Sequence, residues 1–209
     1  MIRTQGAFLR DPLYNNLQLR KVNVSAEIEY LLSPQDIKEK SVEALNEILS
    51  KQFEFDHFSW QQQNGIKVSE PFRADYLNRV LYKCPGCHTE GKMLGKGITL
   101  TCSTCHKAYE LTEEGFLNAK KGPTEFKHVP DWYKWQRQCV KEELMNQTYH
   151  LEVPVRIYTM VDTKAIYAVG EGILSHTNEG FHLTGCEGTL DYTQKPQAAA
   201  EAVEAEAAI

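Results

Sequence analysis

The sequence predicts an α+β chain built from several small modules, and three observations carry that prediction. Apolar and polar residues alternate from Val22 to Tyr30 and then give way to a capped helix at Ser33. Two cysteine pairs, Cys84-Pro-Gly-Cys87 and Cys102-Ser-Thr-Cys105, stand fourteen residues apart around a glycine-containing segment. From Leu151 to Thr193 short β-prone runs follow one another between turn residues. A length of 209 residues suits one large domain or two to three small ones.

The first module covers residues 1–52. Val22, Val24, Ala26, Ile28 and Tyr30 alternate with Asn23, Ser25, Glu27 and Glu29, the period of a half-buried strand. Ser33 is placed as N-cap of the following helix, with Pro34 at its first position and Asp36 favoured by the helix dipole. Ile37, Ser41, Leu45 and Ile48 then share one face. A lone strand and helix leave strand edges without hydrogen-bond partners. The pair is therefore expected to dock on later modules or to belong to a larger sheet. Residues 53–81 form a linker with an aromatic cluster, Phe53, Phe55, Phe58 and Trp60, expected to pack between modules, and a turn at Gln61–Gly65.

Residues 82–112 hold the cysteine pairs. A C-x-x-C turn aims both thiolates at one point. Gly91 to Thr101, with Gly95 and Gly97 near its tip, reads as a hairpin that returns the second turn opposite the first. Four sulfurs so placed make a closed tetrahedral site for structural Zn2+, the zinc-ribbon pattern, with ligands Cys84, Cys87, Cys102 and Cys105. A closed site has no open position for water, so it braces a fold and performs no chemistry. Ala108, Tyr109 and Leu111 supply a third strand. His88 and His106 make both motifs read C-x-x-C-H, the c-type haem attachment pattern. Haem and disulfides are the weaker readings, because Met1–Gly6 has no apolar stretch of the signal-peptide kind. A thioredoxin-like site normally needs one pair beside a βαβ unit. Cys139 and Cys186 are left over, which suits a reducing cytoplasm, with Cys139 expected as a small buried residue.

Residues 113–195 read as a helix followed by a β-rich region. Lys120-Lys121-Gly122-Pro123 is a turn, and Asp131 after Pro130 is the expected N-cap of a helix. Trp132, Trp135, Cys139 and Leu144 fall on one apolar face. Val153, Val155, Ile157 and Thr159 alternate, and runs at Ala165–Val169, Gly172–Ser175, Phe181–Thr184 and Thr189–Tyr192 follow. Asn178-Glu179-Gly180 is a hairpin turn. A small antiparallel sheet packed on the helix is expected. Residues 196–209, mostly alanine and glutamate near the end, read as a frayed helix or a disordered tail.

The net charge of −5 argues against general nucleic-acid binding. Arg79 to Lys141, however, holds eleven Lys and Arg against six Asp and Glu. Such a surplus suits phosphates, acidic lipid head groups, an acidic carrier, or plain solvation. No window reaches the ~18 apolar residues that a membrane span requires. His128 with Asp131, and His182 with Glu187, are the two acid–base pairs that spacing suggests. The second nearly matches the acyl-transfer motif H-x4-D, yet it has a longer acid and lies in a hairpin around Gly185. His57, His150 and His176 find no partner in sequence. With neither a Gly-rich phosphate loop nor G-x-S-x-G, no catalytic residue and no cofactor site beyond the metal is assigned.

Several segments together resemble one family. They are Gly6-Ala7-Phe8-Leu9-Arg10-Asp11-Pro12-Leu13-Tyr14-Asn15, the strand to Tyr30, the Ser33-Pro34 helix and Phe72-Arg73-Ala74-Asp75-Tyr76-Leu77-Asn78-Arg79. The ribbon, Pro130-Asp131-Trp132-Tyr133, Val161-Asp162-Thr163-Lys164-Ala165 and Leu183-Thr184-Gly185-Cys186 continue the series. From Gly6 to about Pro196 the chain resembles phospholipid/glycerol acyltransferases, specifically bacterial 1-acyl-sn-glycerol-3-phosphate acyltransferase-like proteins with a C-terminal zinc ribbon. The resemblance implies acyl transfer from coenzyme A or acyl carrier protein to a glycerol-phosphate lipid, in phospholipid synthesis. It also implies a cytoplasmic location with peripheral contact at the inner membrane face; the acidic total charge is what leaves no specific nucleic-acid partner expected. Residues 1–52 would be the C-terminal remnant of the acyltransferase domain. The family's general base lies in H-x4-D and its phosphate grip in an F-P-E-G-type segment, and this sequence has neither. Only the four cysteines carry over by position, so the chain alone is expected to be inactive. The alternative is a non-enzymatic zinc-ribbon adaptor for a protein, carrier or lipid surface.

Overall fold

Antiparallel pairing organises all three sheets of the computed structural model, which describes residues 1–196. The expected tail, from residue 197 on, lies outside the described residues. The chain is α+β, and it divides into two compact units, residues 1–136 and 137–209. No helix among the described residues is long and apolar enough to cross a membrane.

The first unit begins with a two-stranded sheet. β1 (Ile2–Gln5) pairs with β2 (Ser25–Ile28), Ile2 opposite Ile28. The strand expected from Val22 to Tyr30 is thus shorter, and it is not half-buried. Ile28 is 84% exposed and Tyr30 76%, while Val22 at the start is buried with Leu9 and Val68. Two strands without a third layer have nothing on which to bury alternate residues. A helical turn, α1 (Ala7–Arg10), separates β1 from the loop that leads to β2. Gly6 opens it at φ 80°, where a Cβ would stand 2.3 Å from the Asn23 carbonyl oxygen.

The single helix expected after Ser33 is two helices. In α2 (Pro34–Glu39), Ser33 Oγ accepts from Asp36 N at 3.0 Å, and Ser33 N donates to Asp36 Oδ2 at 2.9 Å. This reciprocal capping box fixes the start. Ser41, expected on the helix face, instead caps α3 (Val42–Phe53) by accepting from Ala44 N at 3.2 Å. A serine hydroxyl competes for backbone donors and favours such a cap over a helix interior. Asp56 caps α4 (His57–Gln63), accepting from Phe58 N and Ser59 N. The aromatic cluster divides accordingly. Phe58 enters the core, Trp60 packs against Leu9, Val22 and Val68, and Phe53 stays 71% exposed.

Residues 70–79 join this part to the ribbon. Tyr14 Oη donates to the Arg73 carbonyl (3.0 Å), and Asn15 Nδ2 donates to the carbonyls of Phe72 and Asp75 (3.1 and 3.0 Å). The ribbon sheet runs β3 (Met93–Lys96), β4 (Thr99–Cys102), β5 (Ala108–Leu111) and β6 (Leu117–Ala119) in that order. The hairpin tip and third strand are as expected; β6 is additional. Leu77, Leu81, Leu100, Tyr109, Leu117 and Trp132 are buried together as its core. Helix α5 (Val129–Met145) starts two residues before Asp131, which lies inside the first turn and is not the cap. Pro130, also in that turn, lacks only an N–H that has no partner there anyway.

In the second unit four strands order as β10-β9-β8-β7, with β7 (His150–Val161), β8 (Ala165–Thr177), β9 (Gly180–Gly185) and β10 (Leu190–Gln194). The two runs Ala165–Val169 and Gly172–Ser175 are one strand. A bulge interrupts its pairing, since Ile157 faces Gly170 but Tyr158 faces Ala168, leaving Val169 as the extra residue. Val153, Leu174, Leu183 and Tyr192 share one face by register. Helix and sheet meet where Asn178 Nδ2 donates to the Leu144 carbonyl at 2.6 Å. Broad packing of sheet on helix is not seen, because among the described residues every buried hydrophobic side chain lies between Leu9 and Trp132. Cys139 is half-buried, not the buried residue expected.

Candidate metal centre

The two C-x-x-C turns have the same backbone construction. His88 N donates to the Cys84 carbonyl at 2.8 Å, and His106 N to the Cys102 carbonyl at 3.0 Å. Cys84 N and Cys102 N donate in turn to Thr89 and Lys107 carbonyls at 3.0 and 2.9 Å. Both histidines sit in the left-handed region, at φ 59° and 60°. That twist closes each turn so that both thiols face inward.

The four sulfurs Cys84, Cys87, Cys102 and Cys105 lie within 4.8 Å of one another. Across the pairs, Cys84 Sγ is 3.6 Å from Cys105 Sγ and Cys87 Sγ is 3.7 Å from Cys102 Sγ. A tetrahedron with metal–sulfur bonds of about 2.3 Å has edges of about 3.8 Å. The cluster therefore fits a single metal ion with four thiolate ligands. Cys84 and Cys102 are buried, Cys87 is half-buried and Cys105 is exposed. Burial pushes the Cys84 thiol up to about 12. The Thr89 hydroxyl and backbone beside Cys87 draw that thiol down to about 6. Burial also raises Cys105. A bound cation overrides these preferences, since coordinating thiols are deprotonated outright.

The geometry disfavours the haem reading. Each C-x-x-C-H would have to present its two thiols to a porphyrin, but here each pair faces the other pair. Each histidine instead serves as a turn residue. The His88 ring packs edge-on against Trp135, centroids 5.5 Å apart at 79°.

Helix α5 braces the first turn with residues that the sequence did not single out for this role. Trp132 Nε1 donates to the Lys83 carbonyl at 2.9 Å. One turn on, Gln136 Nε2 donates to the Val80 carbonyl at 2.6 Å, and its Oε1 accepts from Tyr82 N at 3.2 Å. Trp132 and Gln136 are both fully buried. Helical spacing placed Trp132 on an apolar face; nothing in the sequence marked Gln136 as a clamp. Behind the second turn, Lys107 and Tyr109 both reach the Glu125 carboxylate, Tyr109 Oη donating at 2.7 Å. Burial and that carboxylate push the Tyr109 phenol up.

The acid–base pairs suggested by spacing are not the ones that form. His128 turns to Asp56, Nε2 to Oδ2 at 2.6 Å. Ser59 Oγ donates to the same Oδ2 at 2.8 Å and lies 3.4 Å from the same His128 Nε2. Acid and hydroxyl converge on one ring nitrogen, so the acid cannot orient the imidazole from behind as a relay requires. His182 pairs with Asp191 at 2.8 Å, on the exposed sheet, and not with Glu187. His57 is stacked on Phe8, centroids 5.2 Å apart, and meets Phe55 edge-on; burial lowers its pKa. His176 stacks on Phe181 at 3.8 Å, and burial lowers it too. His150 is exposed. Among the described residues the cysteine cluster is the one group of three or more His, Cys, Asp and Glu placed to hold a metal ion.

Comparison of the chain with protein-family models, with curated proteins and with solved structures finds no match.

Proposed function

We propose that this chain is the metal-braced, non-catalytic portion of a glycerolipid acyltransferase. The whole enzyme would move an acyl group from acyl-coenzyme A or acyl carrier protein to a glycerol-phosphate lipid, in phospholipid synthesis at the cytoplasmic face of the membrane. Zinc is the ion proposed for the cage, because four thiolates in a closed tetrahedron suit it. The observation that carries the reading is the apolar surface left open by the N-terminal elements. Ile2 and Ile28 on the two-stranded sheet, Tyr30 just beyond it, and Ile37, Val42 and Phe53 on the helices are each more than half exposed. Such a surface is suited to a further protein layer, and the family resemblance supplies its identity: the domain that carries H-x4-D.

The test is acyl transfer from acyl-coenzyme A to lysophosphatidate, by the chain alone and by the chain mixed with a family catalytic domain. The expected result is no turnover alone and a stable, active complex with the domain. Turnover by the chain alone, or no association with the domain, overturns the proposal.

A second reading, a non-enzymatic adaptor, draws on the basic surplus of the ribbon. Lys83 and Lys107 are held by Glu90 and Glu125, whereas Lys92, Lys96, Lys120 and Lys121 are exposed. Salt-sensitive co-sedimentation with anionic vesicles, without any acyltransferase partner, would favour it.

A further inference from the structure

Two guanidinium groups lie inside the first unit without a carboxylate. Arg20 is 5% exposed and Arg73 6%, and neither makes an ion pair among the described residues. All their hydrogen bonds end on neutral oxygens. Arg20 Nη2 donates to Tyr14 Oη, Asn15 Oδ1 and the Arg73 carbonyl, at 2.8, 3.1 and 3.0 Å. Its Nη1 reaches the Leu9 carbonyl at 3.5 Å. Arg73 donates from Nε to the Leu111 carbonyl at 2.6 Å and from Nη1 to the Glu70 carbonyl at 3.2 Å. The acids flanking Arg73 in sequence are engaged elsewhere: Glu70 accepts from Lys21 N, and Asp75 from Gly97 N. Burial raises the Tyr14 pKa, so that phenol stays neutral and supplies no countercharge.

Arg20 Nε is buried and has no hydrogen-bond partner. Arg20 and Arg73 line one cavity of about 10 Å³, together with Thr112, Phe8, Leu9 and Phe58. No Asp or Glu lines it. A space of that size holds one water-sized particle. Neutral carbonyls satisfy hydrogen bonds but do not cancel charge, and two unpaired cations in an apolar interior are costly. A water molecule would serve Arg20 Nε and leave both charges standing. A single negative ion accepts from that N–H and offsets one of the two charges, and the low dielectric strengthens its attraction to both guanidiniums.

We propose that this cavity binds one monatomic anion, chloride in the cell, held by Arg20 Nε–H in the field of Arg73. A cavity of about 10 Å³ matches a monatomic ion in size. The ion would tie the N-terminal loop, through Leu9, Tyr14 and Arg20, to the ribbon at the end of β5, at Leu111 and Thr112.

Thermal unfolding of the full chain at fixed ionic strength, with gluconate progressively replaced by chloride, tests this. The expected result is a midpoint that rises with chloride and levels off at saturation. That rise would run against the general salt series, in which chloride is the less stabilising of the two. Equal midpoints, or higher ones in gluconate, overturn the proposal. Arg20→Gln is expected to abolish the chloride response; because this variant also loses core hydrogen bonds, the decisive second measurement uses unaltered protein. Crystals grown in bromide should show an anomalous peak beside Arg20 Nε. An ordered water there that bromide does not replace overturns the proposal.

Discussion

Trp132 Nε1 donates to the Lys83 carbonyl, one residue before the first cysteine of the candidate metal centre, Cys84. The indole thus fixes the segment that enters the cage, and Gln136 holds the same segment one helical turn later. Trp132→Phe keeps most of the ring but leaves a buried carbonyl without its donor. The expected cost is about 1–3 kcal/mol, read as a lower midpoint in denaturant unfolding. Gln136→Leu should cost at least as much, since it strips partners from both Val80 and Tyr82.

Removal of the metal should loosen the first unit. With one ion per four thiolates, purified chain should release about one zinc when its thiols are blocked. Cys102→Ser places a poor ligand at a buried corner of the cage. Metal content by elemental analysis should fall toward zero, and thermal stability should fall to that of chelator-treated protein. Full metal retention by Cys102→Ser would contradict the four-thiolate site.

Backbone geometry around the ribbon gives two substitutions of opposite sign. A Cβ on Gly95 would stand 2.3 Å from the Ala74 carbonyl oxygen and 2.7 Å from Leu77 N. Gly95→Ala must push the hairpin off residues 74–77, and should destabilise by about 1–3 kcal/mol. His106 is exposed at φ 60°, a conformation that glycine adopts without steric cost. His106→Gly should therefore retain the metal with stability unchanged or up to about 1 kcal/mol higher. Loss of the metal in that variant would revive a ligand role for the histidine.

Asp56 gives the acid limb of stability a specific source. Burial acts to raise its pKa, but hydrogen bonds from His128 and Ser59 outweigh burial and hold the carboxyl below its ordinary value of 3.8. A depressed carboxylate stabilises the fold fully above its unfolded pKa. That contribution fades as pH falls from there through the folded pKa. Melting temperatures from about pH 6 down to about pH 2.5 should drop more steeply for the native chain than for Asp56→Asn. Parallel curves would show that the Asp56–His128 pair contributes nothing.

The cage was legible in the sequence because C-x-x-C is a local motif whose turn aims its own thiols. The hairpin beside it followed from the glycines at its tip, which are also local. The break at Ser41 went unread, because one hydroxyl must choose between a helix face and a cap. The partners of His128 and His182 were unreadable for a different reason. Asp56 is 72 residues from His128, and only the assembled core brings them together. Gln136 carried no signal, since nothing local shows that residues 80–83 lie across it. The Val22–Tyr30 alternation promised burial that two strands without a covering layer do not deliver.

The extra residue Val169 sets the phase of the hairpin's far end. Beyond it, Ala168 and Ile166 stand beside Tyr158 and Met160, while Tyr167 joins Thr159 on the reverse side. Pairing that valine with Tyr158 would move Ala168 on to Thr159 and turn over every side chain from Ala165 to Ala168 relative to the opposite strand. The projecting tip would then show a different chemical surface on each side, although its composition would not have changed at all.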